Sequence, residues 1–299
     1  MKTYTFGKML FPKVSLWNRD FDKIAPEEVL LTLAACTATP LERIRQTALR
    51  RYEGRLYLRH TANGNTNWLL PLGIYHRTHR KHGLLFCPTC LQNDGTSPYF
   101  RTHWRLASSS VCVACGTYLL DRCPACANPV TFFRVELGHK SAYPDVPISH
   151  CFHCNLDLAS VPAEKAIAAD IRSQAELGRV LWEGWKADVF FPHQYFDVLH
   201  QLVKVLGSPN FRCAALQKAV DKYTGWSPEE QAPAVRLHRV PFELLPLATR
   251  AGLIRQAQWL LREWPVRFTH VMRQHQMTST PLLHSMTAIP FWYQDLVQL

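Results

Sequence analysis

The residues with the clearest chemistry in this sequence are eight cysteines between Cys87 and Cys154. They form four pairs with two residues between the partners: Cys87/Cys90, Cys112/Cys115, Cys123/Cys126 and Cys151/Cys154. Two intervening residues allow a tight turn that directs both sulfur atoms at one cation, and Zn²⁺ binds four such ligands in a tetrahedron. The pattern therefore predicts two four-cysteine sites and two Zn²⁺ ions per chain.

The distances along the chain indicate which pairs share an ion. The first and second pairs are separated by 21 residues and the third and fourth by 24 residues, and both gaps resemble those of zinc ribbons. We predict this sequential grouping, although spacing alone leaves a crossed grouping open. Disulfides, which require an oxidising compartment, and an iron–sulfur cluster are alternatives. Ligation by a histidine is a less favoured alternative, with the candidates His79, His82, His150 and His153.

The composition is that of a globular protein. Of the 299 residues, 47% are hydrophobic and 19% are charged, which is enough for a substantial core. The first residues contain no apolar run typical of a signal peptide, and no uncharged apolar run of about 18 residues occurs. These features predict a soluble, reduced, intracellular protein that does not enter a membrane.

The positive charge is concentrated at one end of the chain. The formal net charge is +11, which favours a polyanionic partner such as DNA. Residues 1–84 contain fourteen Lys and Arg against six Asp and Glu, whereas residues 85–160 contain five of each kind. The cysteine-rich segment is therefore neutral, and we expect the DNA-binding surface to lie ahead of it.

Two short helices are predicted within this basic part. The first follows Pro26, and the second runs from Leu41 to a stop at Gly54, with Thr39 and Glu42 forming a capping box. Helical periodicity gives the second helix an outer face made of Arg43, Gln46, Thr47 and Arg50. Such a pair is typical of a helix-turn-helix, whose second helix enters the major groove of DNA. The alternative is a helical hairpin whose arginines are only solvated.

A second basic stretch lies directly before the first cysteine pair. Its cations are Arg77, Arg80 and Lys81. Cations at a domain edge can bind the DNA backbone without reading bases, so these residues are predicted phosphate contacts. An exposed linker is the alternative interpretation.

The predicted fold class is mainly α with small zinc-ribbon β elements. The predicted domains are an N-terminal helix-turn-helix-like domain (1–84), tandem zinc-binding modules (85–160) and a C-terminal helical domain (161–299). Helical periodicity supports the last of these, including a helix that Ser227 would open.

Smaller features complete the predictions. Residues 1–25 have no clear period and predict an extended or irregular start. Asn63-Gly64 could close a β-hairpin. Cys36 and Cys213 have no CxxC partner and are predicted to be buried.

The sequence shows no catalytic constellation. It has no GxxxxGK[ST] phosphate-binding loop and no HExxH, and its CPxC order differs from the HxE and PCxxC motifs of zinc deaminases. Both cysteine sites are predicted to be closed to substrate. We therefore predict a protein without enzymatic activity, and a metal-dependent nuclease built from scattered Asp and Glu is the alternative.

A set of motifs around the first cysteine pairs is shared with a known family. These motifs are FCPTCL followed by Asp94, then YFRTHWRL, Cys112 with Cys115, and LLDRCPAC, preceded by QTALRRYEGRL and WLLPLGIYH. They resemble the zinc core and the N-terminal domain of the TniQ/TnsD family, the target-selection proteins of cut-and-paste transposons that use a separate ATPase regulator. The likeness extends over residues 40–130 and is diffuse in the helical C-terminal half.

The resemblance implies a non-catalytic adaptor for target-site selection in DNA recombination. Such proteins recognise an attachment site directly, or join a CRISPR RNA-guided effector complex, and recruit an AAA+ regulator and hence the transposase. The resemblance also implies the prokaryotic cytoplasm or nucleoid as the location and, for some members, a homodimer. The alternative function is that of a zinc-containing DNA-binding transcriptional regulator.

Overall fold

The structure, a computed structural model, describes residues 8–14, 19–72, 82–130, 147–187, 189–226, 240–284 and 286–297. Helices predominate among them, and the strands form one two-stranded sheet. The predicted mainly α class is therefore confirmed. Within the same residues, no helix has the length and apolar character needed to cross a bilayer.

The helices and strands are mostly short. The α-helices are α1 (Phe21–Ile24), α2 (Glu27–Thr37), α3 (Leu41–Arg45), α4 (Pro88–Asn93), α5 (Ala168–Glu183), α6 (Pro192–Leu206), α7 (Phe211–Thr224), α8 (Leu247–Leu261), α9 (Val266–Gln274), α10 (Ser279–Leu283) and α11 (Phe291–Val297). The paired strands are β1 (Val111–Cys112) and β2 (Thr117–Tyr118). Single 3₁₀ turns lie at Leu49–Tyr52, Thr102–Arg105, Leu158–Ser160 and Phe242–Leu244.

The chain divides into two compact units. The first consists of residues 1–53, 60–106 and 114–165, and the second of residues 54–59, 107–113 and 166–299. The three-domain division at residues 84 and 160 stays a prediction.

The predicted second helix of the N-terminal pair is wrong in its extent. It ends at Arg45 rather than before Gly54, and the backbone at Ala48 is extended, with φ of −89° and ψ of 153°. The chain then continues as a 3₁₀ turn that contains Leu49 and Tyr52, which are 0% and 2% exposed. Burial of these two side chains outweighs the modest helical propensity of the segment.

The predicted capping box at the start of this helix is also wrong. Thr39 Oγ1 donates backward to the carbonyl of Thr37 at 3.3 Å. Pro40 occupies the cap position and makes no side-chain cap hydrogen bond. The carboxylate of Glu42 accepts from Arg45 instead, so an exposed ion pair takes the place of the cap.

The irregular structure predicted for residues 1–25 is wrong for residues 21–24, which form α1. Ion pairs with a buried arginine stabilise this helix. Asp20 caps α1 by accepting from the backbone N–H of Lys23 at 3.3 Å. Arg105, whose side chain is 2% exposed, donates to Asp20 at 2.6 Å and to Asp22 at 2.9 Å. A further bond joins Arg105 to the carbonyl of Leu70 at 3.1 Å. A buried guanidinium needs partners of this kind, so the cluster attaches α1 to residues 70 and 105 of the first unit.

The hairpin predicted at Asn63-Gly64 is wrong, because the strand-like segment after it has another partner. Leu69 pairs in antiparallel fashion with Leu106. The adjacent Trp68 is fully buried. This long-range pairing brings the segment next to the residues that follow the first cysteine pair.

The second unit is organised around α6. Most of the residues of α6 are buried, and the helix packs against α5, α7, α8 and α10. α8 is buried on nearly every side as well, which is typical of a helix at the centre of a core. Arg255 of α8 and Asp170 of α5 form a buried ion pair at 2.6 Å.

The two cysteines outside the CxxC pairs differ in their surroundings. Cys213 in α7 is 1% exposed, as predicted. Cys36 in α2 is exposed, so the prediction is wrong for this residue. The reason is that α2 is covered around Val29 and Leu30, whereas residues 35–37 of its last turn are all exposed.

Asp197 of α6 is expected to make the stability of the second unit depend on pH. Burial raises the pKa of this carboxyl to about 7, from about 3.9 in an unfolded chain. A raised carboxyl pKa favours the folded state only while the group is protonated, so stability falls as the pH rises from about 4 to about 7. Asp197→Asn should therefore raise the unfolding temperature by several °C at pH 8 and by about a third as much at pH 5, as measured by circular dichroism.

The matched control for this measurement is Asp295→Asn in α11. Asp295 is exposed, so its substitution should have the same small effect at both pH values. Equal responses of the two variants at pH 8 would contradict the role given to Asp197.

Candidate metal centres and nucleic-acid surface

Two groups of four cysteines come together in the structure. The first consists of Cys87, Cys90, Cys112 and Cys115, and the second of Cys123, Cys126, Cys151 and Cys154. Within each group the four sulfur atoms lie within 4.8 Å of one another. This is the sequential grouping, and we refer to the groups as the first and second clusters.

In the first cluster, one cysteine pair lies at the start of a helix. Cys87 is the N-cap of α4, Pro88 follows in its first turn, and Cys87 Sγ accepts from the backbone N–H of Cys90 at 3.4 Å. Phe86, directly before this pair, is joined to Leu120 by two backbone hydrogen bonds of 2.9 Å. The helix start and this antiparallel pairing therefore fix the direction of the two thiols.

The other three CxxC turns share one backbone feature. The residue directly after the second cysteine has a left-handed backbone: Gly116 with φ of 66°, Ala127 with 56° and Asn155 with 59°. Gly and Asn adopt this conformation readily, whereas for Ala it is less favourable in free energy by about 1–2 kcal/mol. In the second cluster the bend lets the chain return, since Ala127 N donates to the carbonyl of Cys123 and Asn155 N to that of Cys151, both at 2.9 Å.

The two halves of the second cluster are built alike. Arg122 pairs with Pro129 in one half, and His150 pairs with Asp157 in the other. The first cysteine of each half also donates its backbone N–H across the turn, at 2.9 Å to Asn128 and 2.8 Å to Leu156. Two similar turns therefore present four sulfur atoms to one point.

The sulfur separations fit a tetrahedral metal better than disulfides. They are 3.5 Å for Cys90 and Cys115, 3.5 Å for Cys123 and Cys154, and 3.6 Å for Cys126 and Cys151. A disulfide bond measures about 2.05 Å, whereas a tetrahedron with metal–sulfur bonds of about 2.3 Å has edges of about 3.8 Å. All ten cysteines are free thiols. Either cluster could therefore hold a metal ion, and the four-sulfur donor set suits zinc, whose presence stays a prediction.

The thiols of the second cluster differ in acidity. Burial opposes ionisation of Cys126, but hydrogen bonds from Asn128 contribute to lowering its pKa to about 7. Burial raises the pKa of Cys151 to about 12 and also raises that of Cys123. Because metal ligation requires thiolates, binding of a cation must release protons from the buried thiols.

Several residues that support the clusters were missed in the sequence. Thr117 Oγ1 lies 3.5 Å from Cys87 Sγ, and Asn128 Nδ2 donates to the carbonyl of Cys126 at 3.3 Å. Arg101 binds Asp94, at the end of α4, through two bonds of 2.6 and 2.7 Å. The glycine and asparagine that follow Cys115 and Cys154 were a readable signal, because both types favour a left-handed backbone.

The predicted DNA-contacting residues of the basic helix are all exposed but do not share one helical face. Arg43 lies in α3, Gln46 and Thr47 follow it, and Arg50 lies in the next 3₁₀ turn. Arg50 pairs with Glu53 at 3.2 Å, and such exposed pairs are weak. α3 has five residues, little more than one turn, so the helix-turn-helix stays a prediction.

Other predicted features lie outside the described residues. They are the phosphate contacts Arg77, Arg80 and Lys81, the alternative ligand His79, and the helix opened by Ser227.

The comparison with protein families finds a match in the N-terminal part of the chain. The family model of TniQ matches residues 1–119. This segment is therefore similar to the TniQ family. The resemblance noted from the motifs is thereby confirmed, and the TniQ domain associates the chain with adaptors of DNA transposition. No curated protein and no solved structure matches the chain.

The match to the TniQ family ends between the two cysteine clusters. Its last matched residue follows Cys115 and precedes Cys123, so the first cluster lies inside the match and the second outside it. The match covers 119 of the 299 residues. The activity and partners of the whole chain are therefore a matter for proposal.

Proposed function

We propose that the chain is a non-catalytic adaptor that selects target sites for DNA transposition. The observation that supports the proposal is the TniQ domain over residues 1–119. In this proposal the chain binds target DNA, or a CRISPR RNA-guided effector complex already bound to DNA. It then recruits an AAA+ regulator, which brings the transposase to the site.

In the same proposal the two clusters each bind one Zn²⁺ and act as structural centres. A site closed by four thiolates leaves no coordination position for a substrate, so its metal contributes folding free energy rather than catalysis. The cysteine-rich residues 85–160 are also electrically neutral. The proposal therefore gives DNA binding to the basic residues ahead of them.

The proposed DNA contacts are exposed cations around α3 together with the basic stretch before the first cluster. They act on the phosphate backbone, which dominates the affinity of most DNA-binding proteins and makes it sensitive to salt. Arg43 and Arg50 are exposed and accessible to a phosphate. Arg77, Arg80 and Lys81 complete the proposed set.

Removing two of these cations is expected to weaken DNA binding. Arg43→Ala with Arg50→Ala should reduce the affinity for duplex DNA about tenfold at moderate salt and lower the salt slope by about 1.8, because each lost phosphate contact contributes about 0.9. Fluorescence anisotropy with a labelled duplex at several salt concentrations measures both quantities.

The control removes the same charge from the second unit. Lys218 and Lys222 are exposed on α7, and Lys218→Ala with Lys222→Ala should leave affinity and slope close to those of the wild type. If the two double variants behave alike, the DNA surface does not lie at α3.

The proposed function is tested by reconstitution with the AAA+ regulator and transposase of the same genetic element. Donor and target plasmids are incubated with and without the chain, and insertions are mapped by sequencing. The proposal predicts that insertions at a defined target require the chain. Insertion that is equally frequent and equally distributed without it would rule out target selection, and binding confined to its own promoter would favour a transcriptional regulator.

A further inference from the structure

The second unit contains a groove that belongs to neither metal cluster nor to the TniQ domain. It lies between the end of α6, the start of α7 and the segment around α10, and its volume is about 810 Å³. All its lining residues fall between positions 201 and 284. A concave surface of this size accommodates several side chains of a ligand.

Among the described residues that line the groove, the charged side chains are cations. Lys204 and Arg212 both line it, and none of its described lining residues is an aspartate or glutamate. Asn210 and Phe211 also belong to the lining, so the first turn of α7, the positive end of its helix dipole, lies at the groove. The groove therefore complements an anionic ligand.

The groove also has an apolar surface that is exposed to solvent. Phe211 is 86% exposed and Val240 is 44% exposed, and both line the groove. Two further lining residues are buried: Phe242 is 2% exposed and Val205 is 3% exposed. Exposed aromatic side chains next to cations are typical of surfaces that bind another protein.

We infer that this groove binds an acidic segment of a partner protein in which carboxylates alternate with apolar side chains. The carboxylates pair with Lys204 and Arg212, and an apolar side chain covers Phe211 and Val240. A protein segment satisfies both halves of the groove, whereas duplex DNA, whose bases are stacked inside the helix, supplies only the negative charge. The inference does not depend on the proposed function, because the groove lies outside residues 1–119.

The test uses the full chain as bait for a displayed library of random twelve-residue peptides. The expected selection is enriched in Asp and Glu interspersed with Leu, Phe or Trp. One selected peptide is then labelled, and its dissociation constant is measured by fluorescence anisotropy. A library that yields no binders, or binders without acidic enrichment, overturns the inference.

Variants locate the binding on the chain. Lys204→Glu with Arg212→Glu should raise the dissociation constant of the selected peptide more than tenfold. Phe211→Ala should raise it about fivefold. The control for charge is Lys218→Glu with Lys222→Glu, because both lysines are exposed on α7 and lie outside the groove lining. The control for apolar surface is Phe190→Ala, which removes a side chain that is 81% exposed. Both controls should bind like the wild type, and equal loss in test and control variants overturns the assignment.

A labelled single-stranded DNA of similar charge is the competing probe. Stacking of bases on aromatic side chains with cations alongside can bind single strands, so this probe distinguishes the two ligand classes. The inference expects the DNA to compete weakly with the selected peptide and to bind the groove variants as it binds the wild type. DNA binding that is stronger than peptide binding and lost in the groove variants would replace the inference by a nucleic-acid site.

Discussion

Replacing Cys87 by serine should release about one of two zinc ions per chain and destabilise the first unit strongly. Cys87 is 0% exposed and supplies one of the four sulfur atoms of the first cluster. Structural zinc contributes on the order of 10 kcal/mol to the folding of small modules, so even partial loss of this binding should lower the unfolding temperature by about 10 °C or more. Elemental analysis measures the zinc content, and circular dichroism follows unfolding.

The chain contains a suitable control for this substitution. Cys36 is an exposed thiol outside both clusters, so Cys36→Ser should keep about two zinc ions per chain and the wild-type unfolding temperature. Cys123→Ser should behave like Cys87→Ser at the second cluster. Wild-type protein purified without chelators that contains no zinc would refute the metal assignment, whatever the variants do.

Replacing Arg105 by methionine should cost about 3–5 kcal/mol of stability, because breaking a buried ion pair leaves a buried charge without its partner. The carboxylate of Asp20, 19% exposed, would lose its 2.6 Å partner. The hydrogen bond to the carbonyl of Leu70 would be lost, and the cap of α1 would be weakened, at the same time. Urea unfolding followed by tryptophan fluorescence measures the change.

A double-mutant cycle separates the ion pair from the loss of packing. Arg105→Met combined with Asp20→Asn should be more stable than the sum of the single changes predicts, by about 1–3 kcal/mol. Arg50→Met, which removes an exposed arginine paired with Glu53, should cost less than about 1 kcal/mol. Additive effects of Arg105 and Asp20 would show that their pairing contributes little.

The metal clusters could be predicted because their information is local. Each CxxC turn is specified by four consecutive residues, and the gaps of 21 and 24 residues indicated which turns belong together. The helices of the second unit could be predicted for the same reason, since helical periodicity is read within one segment. In each case the physical preference acts over a few residues.

The features that could not be predicted depend on contacts between distant residues. Arg105 and Asp20 are 85 positions apart, and the local sequence around either residue does not indicate such a pairing. The segment after Arg45 has the periodicity of a helix, but the burial of Leu49 and Tyr52 interrupts it. Local propensity was overridden in both places by the packing of the first unit.

The exposure of Cys36 has a practical consequence for the oligomeric state. A free thiol at the end of α2 can meet the same thiol of another chain, and air oxidation then joins two copies through a covalent bond. Such a species would have twice the monomer mass and would be removed by a reducing agent. A homodimer that reflects biological association should therefore persist in Cys36→Ser under reducing conditions, and a dimer that disappears there was produced during purification.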